Sequence, residues 1–382
     1  SMLGVFQWDL QTGEQLQVLE GHKDMVADVS ISPDGRRVIA IAGDGQLVLW
    51  DLETGEAISR FAHDDEGDYE IVTFLPDGRR ALSSSGDGSL VLWDLFSGDE
   101  IRRFEGHTGG VTDVGFTPDG AYILSIGGNV PWIDGPEGED NSLRLWDVET
   151  GEQVHIFEGH TERGIDLDIS PDGRRALSAA LDDSMRLWDL ESGAEIRRYE
   201  YPGLFTVAFH PDGSRALTGS AYPNPVVLLW DLETGEILRY FIGHTDSVFA
   251  VAFSPDGKQA LTGGSDWTLI LWDVESGQQI RKFEDDQLGT VVEIVFSPDG
   301  RLALTANIGG EVLVWDVETG IVLRVFSEHQ SYLHNHSLDI GPDGRTVITG
   351  DQDGEVLVWD LTTGQVLQRF TGHDFHASPA IS

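Results

Sequence analysis

Apolar residues along this chain fall in short runs of strand length bounded by turn residues, and no amphipathic stretch of helical length lies between the Gly and Pro breakers. Val26 to Ile31, Arg37 to Ile41, Leu47 to Trp50 and Gln15 to Leu19 are β-branched or Leu-rich and read as strands. Leu90 to Trp93, Leu269 to Trp272 and Val312 to Trp315 are nearly continuous apolar runs, the pattern of strands covered on both faces. A Trp-Asp pair ends such a run at Trp8, Trp50, Trp93, Trp146, Trp188, Trp230, Trp272, Trp315 and Trp359, at intervals of 42, 43, 53, 42, 42, 42, 43 and 44 residues. Spacing this regular marks an internal repeat.

Two turns punctuate each repeat. Thr-Gly or Ser-Gly follows every Trp-Asp pair, at Gly13, Gly55, Gly98, Gly151, Gly193, Gly235, Gly277, Gly320 and Gly364. Pro-Asp-Gly stands between successive pairs, at Pro33, Pro76, Pro118, Pro171, Pro211, Pro255, Pro298 and Pro342, where Pro presets φ and Gly accepts a positive one. Each unit is therefore expected to be four antiparallel strands. A sheet that is apolar on both faces needs a copy of itself on either side, and twist curls a stack of such sheets into a ring.

These residues resemble the WD-repeat β-propeller family, in its regular, bacterial-like form, over essentially the whole chain. The resemblance implies an all-β, closed β-propeller of four-stranded antiparallel blades. It also implies a tetrad in which a His ahead of the first strand, a Ser or Thr on the second, an Asp in the second-to-third turn and the motif Trp are hydrogen-bonded. The full set is present as His107, Ser125, Asp140 and Trp146, as His160, Ser178, Asp182 and Trp188, and as His244, Thr262, Asp266 and Trp272. His63, Ser83, Asp87 and Trp93 form a looser version, while Ala40, Asn224 and Gly309 stand where other units carry a tetrad residue. Nine third-and-fourth-strand pairs but eight complete units are counted, because residues 3–19 form a lone pair. We expect eight blades in one domain over residues 3–382, with a nine-bladed ring containing one incomplete blade as the alternative. Two equivalent outer pairs, Val5 to Leu19 and Val356 to Phe370, are expected to compete for one blade. Ser1-Met2 reads as an added start.

Forty per cent hydrophobic and nine per cent aromatic residues suffice for a large core. The absence of cysteine excludes disulfides and thiolate chemistry, and leans the expected localisation toward the cytoplasm. No run is long enough for a membrane-spanning helix. The net charge of −42 disfavours nucleic acid and anionic membrane surfaces, both of which are held by cations. Setting aside 23 motif carboxylates leaves about −19, so an acidic bias beyond the repeat survives. It suits either a soluble surface or a basic partner.

Where the repeat is broken, candidate function appears. Trp132 and Trp267 lie outside the motif, both in second-to-third-strand loops. The 53-residue interval places an insertion around Asn129 to Gly138, which holds Trp132 and Ile133, and Tyr222 adds a third aromatic loop. Phe205 and Phe249 stand near the starts of first strands, with Tyr69 and Tyr332 at roughly equivalent positions, and read first as channel-lining core. Together Trp132, Ile133, Tyr222, Trp267, Phe249 and Phe205 are the expected contacts for a protein or peptide partner. The acidic run Asp64 to Asp68 lacks a calcium-loop pattern, and His329, His334 and His336 lack a third ligand, so no metal and no cofactor is assigned. Motifs for hydrolases, phosphate loops, zinc proteases and dinucleotides are missing, and the repeated Ser, His and Asp recur with the architecture, so an enzyme is not expected. A site at the central channel would need a strongly perturbed titratable group at the axis. A monomer is expected, with a strand-swapped oligomer as the alternative.

Overall fold

The computed structural model describes residues 6–8, 15–17, 26–42, 46–62, 71–85, 87–128, 140–221, 224–283, 285, 288–309, 311–326, 333–340, 346–351, 356–360 and 365–370. Among them every regular element is a strand. Seven antiparallel sheets have four strands each, hydrogen-bonded in sequence order. Sheet 1 comprises Val26–Ile31, Arg37–Ala42, Gln46–Asp51 and Ala57–Ala62, and sheet 2 comprises Val72–Phe74, Arg80–Ser84, Leu90–Asp94 and Glu100–Phe104. Sheet 3 runs from Val111–Phe116 through Tyr122–Gly127 and Leu143–Asp147 to Gln153–Phe157. Sheet 4 holds Gly164–Ile169, Arg175–Ala180, Ser184–Asp189 and Glu195–Glu200. Sheet 5 is Leu204–Phe209, Arg215–Ser220, Val227–Asp231 and Ile237–Phe241. Sheet 6 is Val248–Phe253, Gln259–Gly264, Leu269–Asp273 and Gln279–Phe283, and sheet 7 is Val291–Phe296, Leu302–Asn307, Val312–Asp316 and Val322–Phe326.

The last sheet has six strands. Leu333–Ile340, Thr346–Asp351, Val356–Asp360 and Gln365–Phe370 are followed, on the outside, by Phe6–Trp8 and Gln15–Gln17. Phe6 pairs with Arg369 and Gln7 with Gln368. The two outer pairs expected to compete for one blade are thus both accommodated, because the N-terminal pair adds to an open edge instead of displacing its equivalent.

The apolar core lies between sheets, as strands buried on both faces require. The third strands are sealed: Leu90, Val91 and Leu92 have no solvent exposure. The aromatic that ends each fourth strand meets the motif Trp of the next sheet. Phe104 and Trp146 have ring centroids 5.8 Å apart, Phe157 and Trp188 5.4 Å, Phe241 and Trp272 5.4 Å, and Phe283 and Trp315 5.3 Å. Edge-on aromatic pairs of this kind add roughly 0.5–1.5 kcal/mol each beyond the area they bury. First strands lie against one another between sheets 1 and 2 and from sheet 3 through sheet 7 to the last, and the first strand of sheet 1 lies against the first strand of the last sheet.

Two bulges recur through most of the sheets, one on the first strand and one on the fourth. On the first strand the pairing skips one residue, which is Thr112 in sheet 3, Ile165 in sheet 4, Phe205 in sheet 5, Phe249 in sheet 6 and Val292 in sheet 7. On the fourth strand the skipped residues include Ile101, Val154, Ile196 and Ile280, all exposed. A bulge re-aims a side chain and kinks an edge, which blunts the outer strands against further pairing.

Candidate functional site

Antiparallel alternation puts the first-to-second and third-to-fourth turns on one face of the molecule and the second-to-third loops and sheet-to-sheet connections on the other. The two faces are built differently. The first, the turn face, is stitched between sheets by side chains of recurring type. Arg197 donates to the carbonyl of Glu233 at 2.8 Å, Arg239 to that of Glu275 at 3.0 Å, and Arg281 to that of Glu318 at 2.9 Å. Arg102 donates to Glu149 and Thr150, and His155 takes the same place toward Glu191 at 3.0 Å. The arginine stem passes under the Thr-Gly or Ser-Gly turn of the neighbouring sheet. At Gly235, with φ +81°, an added Cβ would meet Arg197 at 3.0 Å, so glycine is needed for both conformation and space. A second row joins Arg37 to the carbonyl of Gly78 at 2.6 Å, Arg175 to Gly213 at 2.7 Å and His210 to Gly257 at 2.9 Å, at the Pro-Asp-Gly turns. Replacing Arg197 with alanine should cost about 1 kcal/mol, the worth of one hydrogen bond with its packed stem, read as a small fall in Tm with unchanged circular dichroism.

On the other face, the loop face, the tetrads hold the loops. His107 Nδ1 lies 2.9 Å from Asp140 and Nε2 2.8 Å from Ser125 Oγ, which accepts from Trp146 Nε1 at 2.9 Å. His160 joins Asp182 at 3.1 Å and Ser178 at 2.7 Å, and Trp188 donates to Ser178 at 2.9 Å. His244 joins Asp266 at 3.0 Å and Thr262 at 2.8 Å, and Trp272 donates to Thr262 at 2.8 Å. Indole is only a donor and carboxylate only an acceptor, so the proton order is fixed. Trp donates to the hydroxyl, the hydroxyl to His Nε2, and His Nδ1–H to Asp. Burial raises Asp140, but hydrogen bonds from His107 and Ser142 outweigh it and hold the carboxyl well below its ordinary range. Asp182 and Asp266 are lowered in the same way. Burial also lowers His107, keeping the ring neutral. The partial sets retain their hydroxyl link: Trp93 to Ser83 at 2.8 Å, Trp230 to Thr218 at 2.9 Å and Trp315 to Thr305 at 2.9 Å. His63 lies outside the described residues.

A third system, on the innermost strands, escaped the reading of the sequence. Asp113 accepts from the backbone N–H of Leu167 in the next sheet at 3.0 Å, Asp166 from Val207 at 2.8 Å, Asp168 from Phe209 at 2.7 Å and Asp28 from Val72 at 2.8 Å. Open N–H groups on the inner edges of sheets 2, 4 and 5 are thereby satisfied by the previous sheet. A signal was available, since a carboxylate inside an apolar strand, as in Val111-Thr-Asp-Val-Gly-Phe116, needs a partner. Burial, then the neighbouring Asp166 carboxyl, pushes Asp113 well above its ordinary value, and the two side chains share a hydrogen bond. Burial pushes Asp168 up to about 7.

Four apolar departures from the repeat lie on the loop face. Trp267 is 67 % exposed and sits at φ 57°, at the position where sheet 2 has Gly88 and sheet 4 has Asp183, also with positive φ. A bulky side chain in the left-handed region costs roughly 1–2 kcal/mol. Ile242, 79 % exposed, precedes the Gly243-His244 pair of the same sheet, where sheets 3 and 4 have Glu105 and Glu158. Phe205 and Phe249 are brought together as bulge residues at the loop end of adjacent first strands, half-buried, with centroids 5.0 Å apart. Trp132, Ile133 and Tyr222, like Tyr69, Tyr332 and the Asp64 to Asp68 run, lie outside the described residues. Phe96 breaks the repeat on the turn face, standing 98 % exposed where six other units have Glu. Among the described residues no group of three or more metal-ligating side chains converges.

Comparison with known proteins agrees with this geometry. The profile of the WD domain, G-beta repeat family matches residues 13–51, 59–94, 98–147, 151–189, 235–273 and 320–360, together more than half of the chain. The protein belongs to that family. It is similar to the small ribosomal subunit protein RACK1 of Candida albicans, 41 % identical over 63 residues, covering 15 % of this chain and 20 % of the relative. It is also similar to autophagy-related protein 16 of Arabidopsis thaliana, 26 % identical over 180 residues, covering 47 % of this chain and 33 % of the relative. The chain therefore spans a fifth and a third of the length of these relatives. Among solved structures, the crystal structure of the computationally designed Ika8 protein superposes with a TM-score of 0.75 at 25 % identity, covering 90 % of this chain and 98 % of that one.

Proposed function

We propose that residues 3–382 form one closed ring of eight blades, the last thickened by the N-terminal pair, and that its loop face docks a protein or peptide without chemistry of its own. The observation that carries this reading is the contrast between the faces. The turn face is occupied by inter-sheet stitches of recurring type, whereas Trp267, Ile242 and the Phe205–Phe249 pair depart from the repeat on the loop face. Contact of the first sheet with the last supports closure. One relative is by name a protein of the small ribosomal subunit, part of a larger assembly, which accords with a docking role. The perturbed carboxyls Asp113 and Asp168 meet one requirement of the alternative channel site, yet each is engaged by backbone N–H groups, as Asp28 is, and reads as architecture.

The test is quantitative affinity capture with Phe205→Ala, Phe249→Ala and Trp267→Ala combined, against Phe96→Ser on the opposite face. The combined variant should lose the proteins that native protein retains, at a Tm within about 3 °C of native, and Phe96→Ser should keep them. Retention by the combined variant, or loss by Phe96→Ser alone, would contradict the proposed face.

A further inference from the structure

We infer that Trp267 is the platform for an arginine or lysine side chain of a partner peptide, with Ile242 receiving an adjacent aliphatic residue. This rests on the reading of the loop face as the docking face, and goes beyond it by naming the partner's chemistry.

The two loops that carry these residues are tied together. Thr245 N donates to Asp266 Oδ2 at 2.8 Å, Ser265 N to the carbonyl of Ser247 at 2.8 Å, and Trp267 N to that of Gly264. Asp266 itself is consumed by His244, so the turn is rigid up to the residue before Trp267. The indole then projects to solvent from a left-handed backbone that glycine would adopt without strain. Among the described residues no ring stacks on it and no hydrogen bond reaches its N–H. Among the described residues nothing repays the backbone cost, which is the signature of a residue kept for what it contacts.

Charge identifies the contact. Asp246 stands in the first loop, half-buried. Leu269, two residues after Trp267, pairs with Phe283, and Asp285 follows Phe283 by two residues. In sheet 4 the residues at these two positions meet, Tyr201 N donating to the carbonyl of Asp183. The two cations of the strand lie further from the loop, Arg281 bonded to Glu318 and Lys282 opposite Ile270. An exposed indole face on the turn that follows Asp266, tied to the loop that holds Asp246, in a chain of net charge −42, attracts a cation and repels an anion. Ile242, apolar where two other sheets carry Glu, leaves room for an uncharged neighbour on the same segment.

The test uses dye-labelled peptides of sequence Gly-Leu-Arg-Leu-Arg-Leu-Arg-Gly, with Arg replaced throughout by Glu or Ser as comparisons, read by fluorescence polarisation against the intact chain. The Arg peptide should bind, the Glu and Ser peptides should not, and Trp267→Gly should weaken binding about tenfold or more while leaving Tm unchanged or higher. Trp267→Asn, which tolerates the same backbone, should behave like Trp267→Gly, Trp267→Phe should retain part of the affinity, and Phe96→Ser should change nothing. Equal binding of Arg and Ser peptides, no binding at all, or native affinity in Trp267→Gly each overturns the inference. If Trp267→Gly is silent but Phe205→Ala or Phe249→Ala weakens the Arg peptide, the docking face stands and only this inference falls. If all three are silent, both fall.

Discussion

Replacing Ser178 with alanine should destabilise the protein by about 2–4 kcal/mol, the largest effect we expect from removing a single atom. The hydroxyl is fully buried and serves two partners, accepting from Trp188 Nε1 at 2.9 Å and reaching His160 Nε2 at 2.7 Å. Alanine leaves an indole N–H and an imidazole nitrogen desolvated with nothing to replace them. The loss propagates to the loop face, because His160 also anchors Asp182, which accepts from the backbone of Thr161 at 3.0 Å. Urea unfolding followed by Trp fluorescence measures it. A Ser178→Ala/Trp188→Phe double variant should show less than the sum of the two single losses, since one shared bond is removed twice. A strictly additive pair would mean the tetrad is not a unit.

The second large effect concerns pH. Asp113 and Asp168 have values raised by burial and by neighbouring carboxyls, Asp168 to about 7 against an ordinary 3.8. A group raised in the fold contributes its stability fully below the unfolded value and loses it as pH climbs through the folded one. For Asp168 that window runs from about 4 to about 7, and the shift corresponds to on the order of 4 kcal/mol. Asp140, Asp182 and Asp266 act oppositely: their lowered values stabilise above 3.8, and that contribution fades as pH falls below it. Stability is therefore expected to peak near pH 4 and to decline as pH rises from there toward 7, where the Asp168 contribution is spent. Asp166→Asn isolates the cause. Its amide oxygen can keep the bond from Val207 N–H while its NH2 donates to Asp113, so the like-charge contact is replaced by a hydrogen bond. The variant should be more stable than native by roughly 1–2 kcal/mol at pH 8 and indistinguishable near pH 4. Equal pH profiles would show that the carboxyl pair does not set the alkaline limit.

Repeat periodicity made the architecture legible before any coordinate. Trp-Asp spacing, Pro-Asp-Gly turns and both-face apolar runs at Leu90 to Trp93 or Leu269 to Trp272 are local signals, and local signals are what a linear reading resolves. The tetrad members at His107, His160 and His244 were expected from the resemblance to the family, and each His stands 18 residues before its hydroxyl partner. What stayed hidden depends on neighbours roughly one repeat away. The carboxylate of Asp113 finds Leu167, and the guanidinium of Arg197 finds the Glu233 carbonyl, only once adjacent sheets are stacked. The strain at Trp267 was hidden too, since its significance lies in φ and not in residue type. Phe205 and Phe249 appeared as channel-lining core, and it is the bulge under each that brings their rings together at the loop end.

Hydrogen exchange on the intact chain, with and without the Arg-containing peptide, tests the central claim most directly, because it reports every face of the molecule at once. The account predicts slowed exchange confined to residues 242–247, 265–268 and the loop-side starts of the strands bearing Phe205 and Phe249, with the Pro-Asp-Gly turns unaffected. Protection at the turns around Phe96 or along the exposed fourth strands, with the loop face unchanged, would contradict it.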